Sequence, residues 1–281
     1  MRCAWKSYLN LIPIRLRQQV DNHGYETLLE LRLRCGQCPE LVTTNGSVWL
    51  DTLVTKEDLH FTINVASQYS AWSLSTASEG YITAAGGHRI GLCGQAVVNQ
   101  GVMTGIREPT SVNVRLAKEF SGIARQAVGA QGSTLIIGRP GSGKTTLLRD
   151  LICLKSQKHQ VVVIDERQEL FPRANGAFCF ETGLKTDILS CCHKPYGVQI
   201  AMRSMNPDYI AIDEITADID CESLVNAGWC GVSLLATAHA GSKNDLYSRP
   251  VYKPIIEMGL FDNLIVMGSN RTWHLERMEK C

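Results

Sequence analysis

No charge of one sign predominates in this sequence: 28 Lys and Arg stand against 27 Asp and Glu, a formal net charge of +1. The near balance holds on both sides of about residue 116, so neither half reads as a basic arm or a nucleic-acid-binding tail. Aromatic residues make up only 7%, and with no basic stripe beside them they do not suggest a base-stacking groove, so no nucleic-acid partner is expected. Long apolar runs are missing too. The longest, at about 232–238, contains Ser233 and Thr237 and falls far short of the ~18 residues a membrane-spanning helix needs. The N-terminus is basic (Arg2, Lys6, Arg15, Arg17), but Pro13 interrupts its apolar run and no small-residue cleavage site follows, so a cytoplasmic chain is expected. Eleven cysteines form an odd set in a long chain, which favours free thiols over a disulfide scaffold. Cys35 and Cys38 make a lone CxxC, and Cys191, Cys192 and His193 do not complete it at zinc-finger spacing. Internal repeats and low-complexity segments are also absent.

What is present suffices for two domains. The chain has 281 residues, 44% of them hydrophobic, enough for a core in each. We expect an N-terminal α+β domain over 1–116 and a second domain over 117–281. In the first, Trp5, Leu9, Ile12, Leu16 and Val20 recur at helical spacing, with a kink at Pro13. The apolar face of that helix is expected to pack on its own domain, docking at a membrane face being the alternative. A strand follows at 29–34, then a hairpin at 41–50 turning at Asn45-Gly46, and a helix capped by Thr55 and Asp58. Glycines at 86–87, 94 and 101 suggest a meander of short hairpins over 81–106. Beyond that, a helix near 119–128 and strands at 134–137, 161–164, 209–212 and 233–236, alternating with helices, imply a parallel sheet.

The chemistry concentrates in that second half. Gly138 to Thr145 reads GRPGSGKT, the full GxxxxGK[ST] pattern, between the apolar strand TLII and the helical run TLLRDLI. Gly138, Arg139, Pro140, Gly141, Ser142, Gly143, Lys144, Thr145 and Thr146 are therefore the expected nucleotide-binding segment. Backbone N–H groups of such a loop curl round phosphate oxygens, and the following helix points its positive end at them. Lys144 is expected on the β- and γ-phosphates and the Thr145 hydroxyl on Mg²⁺, with ATP as the nucleotide. Two apolar strands then end in acid pairs, VVVIDE at Asp165 and Glu166 and YIAIDE at Asp213 and Glu214. Acids at the carboxyl edge of a parallel sheet lie where ligands bind. Asp213 fits a magnesium-holding role, and Glu214 or the Asp165/Glu166 pair fits that of the base for an attacking water, the choice staying open. Thr237 and His239, expected just past the end of the 233–236 strand, fit a polar tip that senses the terminal phosphate.

With these residues in hand, the order of P-loop, acid pair, second acid pair and T-x-H strand end resembles the bacterial type II and type IV secretion ATPases, a hexameric branch of the RecA-like motors. The strings GYITAAGGHRIGLCGQAV, SVNVRLAKE, VVIDERQEL, MRSMNPDYIAIDEI and LLATAHA are similar to the sporulation branch of that family. The resemblance implies an α/β fold: a RecA-like P-loop core with a mostly parallel sheet behind a smaller α+β domain. It also implies an ATPase peripheral to the mother-cell membrane, powering a secretion-like channel to the forespore and docking on integral membrane proteins of that channel. In that family the Asp165/Glu166 strand end corresponds to an acidic box and His239 to a His box, while the first acid, Asp213, is a departure that strengthens Glu214 as the base. Nucleotide lies between subunits of such hexamers, which makes Arg89, Arg107 and Arg115 the arginines expected to reach a neighbour's phosphates. No arginine in cis is expected: Arg139 points out of the loop turn, and Arg149 lies over a turn down the next helix. The rival readings are a RecA-like nucleic-acid motor, an assembly switch that binds ATP without turnover, and a kinase, for which no acceptor or lid motif is present.

Overall fold

The computed structural model of the chain describes residues 1–68, 80–174, 176–268 and 270–278. It divides into two compact units, Met1–Glu119 with Pro172–Phe180, and Phe120–Phe171 with Glu181–Cys281. The first unit thus ends past residue 116 and also takes in a short excursion, Pro172–Phe180, from the middle of the second half of the chain.

The first unit starts with two helices, α1 (Trp5–Leu11) and α2 (Ile14–His23), where one kinked helix was expected. The reason is Pro13. It holds Ile12 in an extended conformation (φ −85°, ψ 133°) and has no N–H to continue α1. Tyr8, Leu11, Ile12, Leu16 and Val20 are buried in a core with Leu31, Leu33, Leu41, Ile90, Val112 and Val114. The apolar faces of both helices are therefore spent within their own unit.

The main strands of this unit are β1 (Leu28–Arg34), β2 (Glu40–Thr43) and β3 (Gly46–Trp49), followed by α3 (Lys56–Gln68), and then β4 (Tyr81–Thr83), β5 (Arg89–Asn99) and β6 (Val102–Arg115). They form one antiparallel sheet in the order β3-β2-β1-β6-β5-β4. At the head of α3 the Thr55 N–H donates to Asp58 Oδ2 at 2.8 Å and the Asp58 N–H to Thr55 Oγ1 at 3.4 Å, a reciprocal cap. The expected meander forms, β4, β5 and β6 pairing antiparallel in succession, but it has two turns and not three. Gly94 is not a turn but a bulge, with a register shift between Cys93 and Gln95. A Cβ there would sit 2.8 Å from the Arg107 and Glu108 carbonyl oxygens, so glycine allows the close approach.

His88 is fully buried in this unit, accepting at Nδ1 from the Ala117 N–H (3.1 Å) and reaching the Ala4 carbonyl with Nε2 (3.1 Å). Those partners fix the neutral ring, and burial pushes its pKa down to about 4. The unfolded chain protonates near 6.5 and the folded chain only near 4, so the contribution is complete above the first value and lost as pH falls toward the second. It amounts to about 3 kcal/mol. Thermal midpoints measured between pH 7 and 4.5 should fall more steeply for the wild type than for His88→Gln; equal slopes would refute the assignment.

The second unit contains β7 (Thr134–Ile137), α4 (Lys144–Lys155), β8 (Val161–Asp165), β9 (Thr186–Ser190), α5 (Lys194–Ser204), β10 (Tyr209–Ile215), α6 (Asp218–Trp229), β11 (Ser233–Ala238), α7 (Lys243–Ser248), α8 (Lys253–Glu257), β12 (Asn263–Met267) and β13 (Trp273–Arg277). The sheet order is β9-β8-β10-β11-β7-β12-β13, parallel throughout except for the last pair. Every residue of β7 and β8 is buried, as strands covered on both faces must be. The helix expected near 119–128 does not form. Only a 3₁₀ turn, Arg125–Ala127, occupies the segment. The Asp150 carboxylate on α4 captures the Gly122 and Ala124 N–H groups at 2.8 and 2.7 Å, so these amides are taken by a side chain instead of by helix carbonyls.

Candidate functional site

The P-loop joins β7 to α4 at the carboxyl edge of the sheet. Gly143 caps the helix in a left-handed conformation (φ 99°) and Gly141 shares that region (φ 75°), which side chains rarely adopt. A Cβ on Gly138 would lie 2.6 Å from Ser142 Oγ and 2.7 Å from Met267 Cβ. The loop is thus held tightly at its start and turns at glycines further on. Lys144, only 6% exposed, donates to the carbonyls of Gly138 (3.0 Å) and Arg139 (3.2 Å) and meets His239 Nδ1 at 3.0 Å. Burial lowers its pKa, and Asp213 and Glu214 partly restore it.

From there the contacts continue to the second acid pair. His239 Nε2 stands 2.9 Å from Glu214 Oε1. A lysine ammonium only donates, so His239 Nδ1 is the acceptor and Nε2 carries the proton toward Glu214. Glu214 has a left-handed backbone (φ 57°) at a register shift between Ile212 and Ile215, a strained placement of the kind that gathers at working sites. Thr237 stitches the pair together, accepting from the Glu214 N–H (2.8 Å) and donating to Asp213 Oδ1 (2.7 Å). Thr237 is fully buried inside β11, where it was expected beyond the strand. Burial raises the Asp213 pKa against hydrogen bonds from Thr237 and Thr145, which puts the P-loop threonine on the same carboxylate.

The first acid pair is arranged differently. Asp165, 1% exposed, accepts three backbone N–H groups, from Glu169 (2.9 Å), Leu170 (3.2 Å) and Phe171 (2.7 Å). Burial lifts its pKa to about 6 in spite of them. Its oxygens clasp the turn after β8, which leaves them poorly disposed to take a proton from water. Burial also pushes Glu166 up, but hydrogen bonds from Lys194 (2.9 Å) and His193 (2.5 Å) outweigh it and hold the carboxyl below the usual range. His193, considered above as a metal ligand, serves Glu166 instead.

Both pairs face one small cleft, lined by the acids Asp165, Glu166, Glu169, Asp213 and Glu214 and by the cations Arg167 and Lys194. Neither cation was singled out from sequence. Arg167 directly follows an acid pair already read as functional, so its neighbourhood was legible. Lys194 was not, since only the fold brings the start of α5 to Glu166 and Asp220 (2.9 and 3.5 Å). Of the arginines expected to act on a neighbour, Arg89 stacks on Tyr81 at 3.8 Å, Arg115 lies opposite both Arg89 and Glu30, and Arg107 opposes Gln95 on the β5–β6 hairpin. All three belong to the first unit.

Among solved structures, the chain is similar to the ATPase DotB of Legionella pneumophila, with a TM-score of 0.59 at 13% identity over 95% of this chain and 80% of that one. It is equally similar to the pilus retraction motor PilT, solved with bound ADP, with a TM-score of 0.59 at 13% identity over 95% and 82%. At such identity the likeness is one of fold alone, an α/β P-loop core with a largely parallel sheet shared with that ATPase and that motor. Sequence narrows the class: the stage III sporulation protein AA of Bacillus subtilis (strain 168) is 36% identical over 262 residues, 89% of this chain and 85% of that protein. A profile of the family described as sporulation stage III, protein AA, matches residues 6–274, and the chain belongs to that family.

Proposed function

We propose that this protein hydrolyses ATP and that the hydrolysis drives a secretion-like channel built during endospore formation. The observation that carries the reading is the contact chain from Lys144 through His239 to Glu214, which joins a phosphate-binding loop to a carboxylate at one sheet edge. Water oxygen attacks the γ-phosphorus, Glu214 takes the proton, and the bond to the ADP oxygen breaks, giving ADP and phosphate. Lys144 meets the β- and γ-phosphates, where negative charge develops. His239, held between Lys144 and Glu214, registers whether a terminal phosphate is present.

The donor set suits magnesium: an all-oxygen pairing of the Thr145 hydroxyl with the Asp213 carboxylate, in a cleft where acids outnumber bases. Thr145 and Asp213 would hold the ion, which would supply charge neutralisation of the phosphate oxygens. Asp165 and Glu166 serve the site as supports, one by clasping the loop, the other by anchoring Lys194.

Among the described residues no helix is long and apolar enough to cross a membrane. A peripheral place at the mother-cell membrane, contact with integral membrane proteins of the channel, and assembly into a hexamer complete the proposal. Phosphate release from ATP by the full chain should require added magnesium and vanish on chelation. Tight ATP binding with no release above the chelated background would favour the assembly-switch reading instead.

A further inference from the structure

We infer that Arg167 is a catalytic arginine that this site supplies to itself, meeting the terminal phosphate in the same subunit whose P-loop holds the nucleotide. The inference rests on the ATPase reading above. The turn after β8 that carries Arg167 is fastened from two sides by buried charged groups: the Asp165 carboxylate takes the N–H groups of Glu169, Leu170 and Phe171, and Arg149, 7% exposed on the P-loop helix α4, donates to the carbonyls of Glu169 and Leu170. The position of Arg167 is thereby tied to the P-loop helix itself. Its guanidinium comes within 3.9 Å of Glu214 Oε2, while the other oxygen of that carboxylate meets His239. A group beside the proposed base is beside the water it activates and the phosphorus that water attacks.

Charge points the same way. A terminal phosphate beside Glu214 would face the wall of a cleft lined by five acidic residues, where its charge needs a neighbouring cation. Lys194 is buried, its side chain 7% exposed between Glu166 and Asp220. The Arg167 guanidinium already lies beside Glu214, its side chain 54% exposed, and its planar fork matches phosphate oxygens. This revises the premise that no arginine lies in cis, on which the case for Arg89, Arg107 or Arg115 acting in trans was built.

The test uses the full chain with Arg167→Ala and Arg167→Lys. Turnover should fall by roughly 10- to 10³-fold, the lysine variant recovering only part of the loss. Binding should discriminate as well: a non-hydrolysable ATP analogue should weaken several-fold while ADP does not, because the contact is to the terminal phosphate alone. Mixing Arg167→Ala with Lys144→Ala chains should restore nothing, since no subunit then holds both groups. Regained activity in the mixture would move Arg167 to a neighbour's site and overturn the inference. So would near-normal turnover, or equal weakening of ADP and analogue. If the wild type itself releases no phosphate, the ATPase reading fails, and the two-ligand binding comparison still decides for or against Arg167.

Discussion

Lys144→Ala should lose most phosphate release, about 10²-fold or more, together with a clear loss of ATP affinity. On the proposed reading the ammonium meets the β- and γ-oxygens, where the developing charge is greatest, and in this structure two P-loop carbonyls and His239 Nδ1 hold it at 3.0 to 3.2 Å. All three of its N–H donors are engaged there, so the ammonium meets the phosphates by exchanging at least one neutral partner for a stronger, charge-assisted one. The substitution also leaves the Gly138 and Arg139 carbonyls without their lysine and His239 without its Nδ1 partner. A melting curve must therefore accompany the kinetics, and a variant that melts near the wild type isolates the phosphate contact. Near-normal turnover in such a folded variant would refute the P-loop assignment.

The parts of the fold legible in the sequence are those set by local rules. Pro13 marked an interruption, though it read as a kink and not as two helices; Thr55 and Asp58 announced a cap, and the apolar quartets before each acid pair announced strands buried on both faces. The sheet edge that gathers P-loop, acids and His239 follows from strand order in a parallel α/β fold. What was not legible depends on partners distant in the chain. The segment at 119–128 carries helical spacing, yet Asp150 takes its amides. Arg149 reads as a helix residue over a turn away from the loop, yet its guanidinium grips Glu169 and Leu170. The two acid pairs look alike as strings, VVVIDE and YIAIDE. They diverge because one is followed by a turn whose amides fall on the aspartate, while the other bends its glutamate through a left-handed residue toward His239.

That divergence sets the ordering of the carboxylate variants. Glu214→Gln is expected to bind ATP in the presence of magnesium and to hydrolyse it slowly, by about 10²-fold or more, since the amide keeps the shape but cannot take the water's proton. Its side chain would still meet His239 and lie near Arg167, so affinity should survive and nucleotide should be trapped. Glu166→Gln should be milder in its chemistry. Lys194 and His193 hold that carboxyl below the usual range, which makes it a poor base, and the substitution acts through the loosened anchor of Lys194. Asp165→Asn should show itself mainly as lost stability, because an amide presents one acceptor oxygen where the carboxylate uses two for three backbone N–H groups. Single-turnover rates, nucleotide retention on a filter and melting points, measured on all three, separate these outcomes. If Glu214→Gln turns over normally while Glu166→Gln is folded and inactive, the proton goes to the acidic pair at the end of β8, and the contact chain from Lys144 to Glu214 is a support instead of the working path.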